Sequence, residues 1–148
     1  MRTIKFRAKK TTTDGWVYGS LVYSNDLDAA IYYQKGNGSV KSMDWVYVNP
    51  ETIGQFTGLL DKNGKEIYDG DILRFPAKYE YEKENFVAFE VFWHDNDCAQ
   101  SHIGWQMNRL HFQGCICGYS GLETFLPEWT SRMEIIGNIH DNPELINK

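Results

Sequence analysis

The chain is predicted to be mainly β, and three features of its 148 residues carry that prediction. Nine Tyr, eight Phe and five Trp give an aromatic share of 15%, and aromatic side chains pack well on a pleated surface. Gly is frequent, at 13 residues, which weakens helices. Apolar residues recur with period two between turn-forming pairs such as Asp14-Gly15 and Asn63-Gly64, the pattern of hairpin-linked strands. The length and a hydrophobic share of 42% suit one domain, 1–148, with one continuous core.

From Thr3 to Ala8 the pattern alternates, with Ile4, Phe6 and Ala8 on the face expected to be buried and Lys5, Arg7 and Lys9 on the other. After the Asp14-Gly15 turn, Trp16–Tyr23 reads as the hairpin partner of this strand. Weaker strand signals follow at Ala29–Tyr33, and a better one at Asp44–Val48, which Asn49-Pro50 ends because proline lacks a ladder donor. Pro50-Glu51-Thr52 could start a single helical turn, but a turn leading into Ile53–Phe56 is preferred. The clearest hairpin joins Leu59-Leu60 to Lys65–Tyr68, because Asn63-Gly64 supplies the positive φ that a tight turn needs.

Asp69-Gly70-Asp71 then leads into a strand at Ile72–Phe75, and Pro76–Asn85 reads as a polar excursion, a solvated loop or projecting hairpin. Phe86–Trp93 is apolar except for Glu90, as expected of a central strand covered on both faces. Trp105–Asn108 and Met133–His140 read as strands, Leu122–Leu126 as a short element of either kind. The close is a short helical turn with Asn142 as N-cap. One faint internal echo is present: Glu51–Phe56 and Glu134–Ile139 share the form Glu-x-Ile-Gly-x-apolar, which fits two equivalent strands of a pseudo-symmetric sheet and equally a chance likeness in a β-rich chain.

Composition narrows the function classes. There is no run of about 18 apolar residues, so no membrane span is expected, and the basic, alternating N-terminus lacks the apolar stretch of a secretory signal. The three cysteines, Cys98, Cys115 and Cys117, are odd in number, which fits free thiols in a reducing cytoplasm better than a disulfide scaffold. Net charge is −5, which disfavours a phosphate-binding protein, yet residues 1–10 hold five basic side chains and no acid.

Four constellations bear on chemistry. His94, Asp95, Asp97, Cys98, His102, His111, Cys115 and Cys117 offer enough ligands for zinc, but no Cys-x-x-Cys is present and a polar loop with small thiols is expected instead. Asp69 and Asp71 flank a glycine, which is turn chemistry rather than a general acid–base pair. No nucleophile elbow surrounds Ser39, Ser42, Ser101 or Ser120, and no phosphate loop is present, so no catalytic residue, cofactor or metal is expected. Asp61-x-Asn-Gly lacks the remainder of a calcium loop. The fourth constellation is the basic strip Arg2, Lys5, Arg7 and Lys9, a candidate interaction surface. With Tyr18, Trp45 and Tyr47 as stacking surfaces it could serve nucleic acid, although solvated or ion-paired cations are the expected state in so acidic a chain.

The opening Ile4-Lys-Phe-Arg-Ala8 with Trp16-Val-Tyr-Gly19, the stretch Val48–Ile72 and the close Glu134–Leu145 together resemble the YopX family of phage and prophage proteins. The resemblance is weak over residues 24–42 and 94–128. It implies a phage or prophage gene in a bacterium and a β-barrel related to the small SH3-type barrels, with no activity and no catalytic residues. The succession of strands from Tyr68 to Trp105 is itself consistent with such a barrel.

The expectation is therefore a small SH3-type β-barrel protein of the bacterial cytoplasm, a non-catalytic interaction or structural module that self-associates. Its partners would be further copies of itself and a host or phage protein. A nucleic-acid-binding barrel is the alternative and a metal-dependent enzyme a weaker one. Self-association is expected from the split charge, net +3 over residues 1–50 and −8 over residues 51–148, from the terminal basic strand and from the aromatic load.

Overall fold

The computed structural model describes residues 1–25, 28–83, 86–95, 103–110, 122–124 (backbone only) and 127–147. The chain forms two compact units, Met1–Gly58 and Leu59–Lys148, although the sequence suggested one continuous core. The structure is mainly β, in antiparallel sheets, as expected.

In the first unit, β1 (Phe6–Lys9), β2 (Trp16–Tyr23), β3 (Ala29–Lys35) and β4 (Ser42–Val48) form a meander, and β5 (Gly54–Leu60) lies beside β1 in the order β4-β3-β2-β1-β5. One face buries Ala8, Val17, Ala29, Ile31 and Val48, with Phe6 and Ile53 packed against them. Ile4 was expected on this face but is exposed, because the strand begins only at Phe6. The end of β4 returns to the end of β1: Lys10 and Val48 form one bridge, Asn49 N donates to Lys9 O at 2.8 Å, and Thr11 N to Tyr47 O at 3.1 Å. A single bridge is not a ladder, and no closed barrel is found among the described residues.

Pro50–Thr52 is a single 3-10 turn, the helical alternative rather than the preferred turn. Asn49 Oδ1 accepts from Glu51 N at 3.1 Å and so caps it.

The last residues of β5 open the second unit, where β6 (Glu66–Tyr68) is the other arm of the predicted hairpin. Gly64 has φ +77°, as the Asn-Gly signal requires. Then β7 (Asp71–Arg74), β8 (Ala88–His94), β9 (Gly104–Arg109) and β10 (Leu122–Thr124) form a second meander. A helical turn, Pro127–Thr130, precedes β11 (Glu134–Asn138), and the order is β10-β9-β8-β7-β11.

The apolar run centred on Phe89 is the central strand, as predicted. Phe89 and Val91 join Leu73, Met107 and Met133 on one face, while Ala88 joins Ile72, Leu145 and Ile146 on the other. Over its described residues, 76–83, the excursion is a loop with one 3-10 turn, Glu80–Glu82, and not a hairpin. The Glu82 carboxylate draws in Lys78 N at 2.7 Å and Tyr79 N at 3.4 Å, which tightens it locally. The C-terminal turn is Pro143–Leu145 with Asn142 at the N-cap position. Its side chain does not cap, because Oδ1 accepts from Asn138 N at 3.2 Å instead.

The two units share one plan. Each contains a four-strand meander, then a short helical turn, then a fifth strand antiparallel to the first of the meander, the second unit having β6 ahead of its meander. The echoed segment Glu51–Phe56 runs from the 3-10 turn into the first three residues of β5, and Glu134–Ile139 contains β11. They mark equivalent strands of two sheets rather than of one.

Candidate interaction face

The pleat of the first sheet sends alternate residues to opposite faces, and the register fixes which side chains share the face away from the core. Ser20 lies opposite Tyr32, and Tyr32 opposite Trp45. Val22 lies opposite Ala30, and Ala30 opposite Tyr47. Gln34 lies opposite Met43, and Tyr18 opposite Arg7. None of the positions that β2, β3 and β4 send outward between Tyr18 and Tyr47 carries a charge. Four aromatic residues are exposed there: Tyr18 at 46%, Tyr32 at 36%, Trp45 at 47% and Tyr47 at 51%. Tyr32 and Trp45 stack with centroids 6.2 Å apart, and Trp45 meets Tyr47 edge-on at 5.0 Å. The charges of β3 and β4 point the other way: Asp44 lies opposite Tyr33 on the core side, with Lys35 Nζ 3.6 Å from its carboxylate.

The predicted basic strip is not presented as a row of four solvated cations. Arg2 is exposed and Lys5 half-buried, but Arg7 is only 6% exposed, its guanidinium 4.7 Å from the centre of the Trp16 ring. Lys9 Nζ lies 5.8 Å from the same ring and 3.8 Å from the Asp14 carboxylate. Of the aromatic residues, Tyr18, Trp45 and Tyr47 were legible as stacking candidates. Tyr32 was not, although it sits in a predicted strand, because its role comes from cross-strand register with Trp45.

The acidic candidates resolve into structural roles. Asp71 is buried, and its Oδ2 accepts from Tyr68 N at 2.8 Å, which is turn chemistry as expected. Asp61 is buried too. Its Oδ1 accepts from Asn63 N at 2.8 Å and Lys65 N at 2.9 Å, and its Oδ2 from Ile135 N at 3.1 Å. Glu134 binds Arg74 Nε at 2.9 Å and lies 3.2 Å from Lys62 Nζ. The hydrogen bond from Arg74, with that from Lys62, holds its carboxyl below the ordinary 4.5. Burial raises Glu90, and the nearby Asp69 charge adds to the effect.

In the histidine- and cysteine-rich window, His94 is buried and Asp95 exposed, while Asp97, Cys98, His102, His111, Cys115 and Cys117 lie outside the described residues. Ser101 and Ser120 lie outside them as well. Among the described residues no three His, Cys, Asp or Glu side chains are grouped to hold a metal ion.

The YopX protein family model matches residues 5–147. The crystal structure of protein EF1440 from Enterococcus faecalis is similar over 99% of this chain and 100% of its own, with a TM-score of 0.59 and 24% identity, a likeness of fold. No curated protein matches the chain.

Proposed function

This chain belongs to the YopX family, and we propose that it acts there as a non-catalytic interaction module, phage- or prophage-encoded and working in the cytoplasm of the bacterial host. The outer face of the first sheet is its contact surface. One observation carries this reading: Tyr18, Tyr32, Trp45 and Tyr47 are exposed on outward positions of β2, β3 and β4 that carry no charge. Tyr and Trp are enriched at protein interfaces and charged residues are depleted at interface centres, while contiguous exposed apolar surface on a soluble protein marks a contact site. The structural duties of Asp61 and Asp71 further support a non-catalytic role. The return of β4 to β1 supports reading the first unit as a small SH3-type barrel.

A nucleic-acid-binding barrel is the second reading. It is favoured by Arg7 and Lys9 lying beside Trp16 on the same pleat face as Tyr18.

Photo-crosslinking in bacterial cells tests the contact surface. A benzophenone side chain at Tyr32 or Tyr47 is expected to give discrete adducts, and one at the exposed Glu80 is not. Equal labelling at all three positions, or none at the first two, refutes the assignment.

A further inference from the structure

We propose that the occupant of this face is a second copy of the chain, packed outer face to outer face about a two-fold axis. This rests on the contact-surface reading above and adds the identity of the partner.

Charge is the first argument. Across a two-fold axis each residue meets a different residue of the other copy unless it lies on the axis, so a face of one charge sign repels its copy whereas an uncharged face meets it in any register without repulsion. The outward positions of β2, β3 and β4 from Tyr18 to Tyr47 hold no charge, while the Lys35–Asp44 pair of the same strands is turned to the other side. A polyanion is a poorer fit. Phosphate binding needs available cations, and the two nearest on this pleat face are Arg7, buried against Trp16, and Lys9, which lies beside Asp14.

Shape is the second argument. Uncharged sheet faces pack about 10 Å apart with strands rotated by roughly 30°, side chains interdigitating. The centre of this face is a cross-strand row, Ser20–Tyr32–Trp45, in which the small Ser20 leaves room beside two large rings for the rings of the other copy.

Size sets the strength. Strands of seven and eight residues are roughly 23–27 Å long, and three of them are roughly 14 Å wide. A stable dimer commonly buries about 800 Å² per partner. This face alone is smaller, so the dimer is weak and reversible, in the micromolar range.

Sedimentation velocity of the full chain between 1 and 200 μM tests the proposal, at 0.05 and 0.5 M NaCl. The expected result is a concentration-dependent monomer–dimer equilibrium indifferent to salt. Trp45→Glu, which sets like charges across the axis, should shift dissociation at least tenfold toward monomer. Ser20→Glu serves as a second variant on the same row should the first not fold.

A wild-type monomer at 200 μM overturns the proposal, as does a dimer unaffected in folded variants of both kinds. A dimer lost only in 0.5 M salt also overturns it, in favour of association through the split charge. Fluorescence anisotropy with labelled oligo-dT and oligo-U completes the set: micromolar binding weakened by Trp45→Ala would assign the face to single strands instead. If the chain is monomeric but Tyr32 and Tyr47 still crosslink to another molecule, the second copy is refuted and the contact surface stands. If neither association nor adducts occur, both fail.

Discussion

The carboxylate of Asp61 holds the backbone N–H of Ile135, 74 positions further along the chain, at 3.1 Å while its other oxygen closes the Asn63-Gly64 turn. One buried side chain therefore fixes both the hairpin and the start of β11. Removing it leaves three backbone donors without their acceptor, and bonds to a charged group are worth more than neutral ones. Asp61→Ala is expected to cost about 3 kcal/mol in urea unfolding, with Asp61→Asn costing less. A loss below about 0.5 kcal/mol would show that water replaces the carboxylate at no cost.

Gly64 isolates the backbone part of the same turn. Its φ is +77° and a Cβ there would meet nothing within 4 Å, so steric contact contributes no penalty. Gly64→Val should still destabilise by about 1–2 kcal/mol, because a β-branched residue resists the left-handed region. An unchanged melting temperature refutes this.

Gly19 tests the close approach of β2 to β3. A Cβ at this position would fall 2.0 Å from Tyr32 O, and backbone cannot yield as a flexible side chain can. Gly19→Ala is expected to cost about 2–3 kcal/mol. Because Tyr32 would be displaced, the variant should also lose contacts at the aromatic face. Wild-type stability with an intact Tyr32–Trp45 pair would disprove the close approach.

Glu134 ties stability to pH. Its folded-state pKa lies below the ordinary 4.5, owing first to the Arg74 hydrogen bond, so the charged form is favoured by folding. Its contribution is fully present above the ordinary value of 4.5, taken for the unfolded chain, and is lost as pH falls through the folded value. Glu134→Gln should therefore lower the melting temperature at pH 7 and have little effect at pH 2. A difference that stays constant across this range would mean that the charge on Glu134 is not the cause.

Elements whose cause is local could be read from the amino-acid sequence alone. Period-two patterning placed β1 and β2, the Asn63-Gly64 pair fixed the β5–β6 turn, and the nearly unbroken apolar run around Phe89 identified the central strand of its sheet. The echo of Glu51–Phe56 in Glu134–Ile139 was also visible. That the two segments mark the fifth strands of separate sheets was decided by tertiary structure, because strand pairing joins residues far apart in sequence. The basic strip shows the same division. Alternation correctly sent Arg7 and Lys9 to the face opposite Ala8, but Trp16, delivered by cross-strand pairing, covers Arg7 and removes it from solvent. Tyr32 gained its place for a related reason. Nothing in its own segment distinguishes it from Tyr33, and only the register that sets it beside Trp45 and turns Tyr33 toward Asp44 makes it part of the uncharged aromatic face. Local propensity can be read from neighbours in the chain, whereas exposure depends on what the rest of the fold brings against each side.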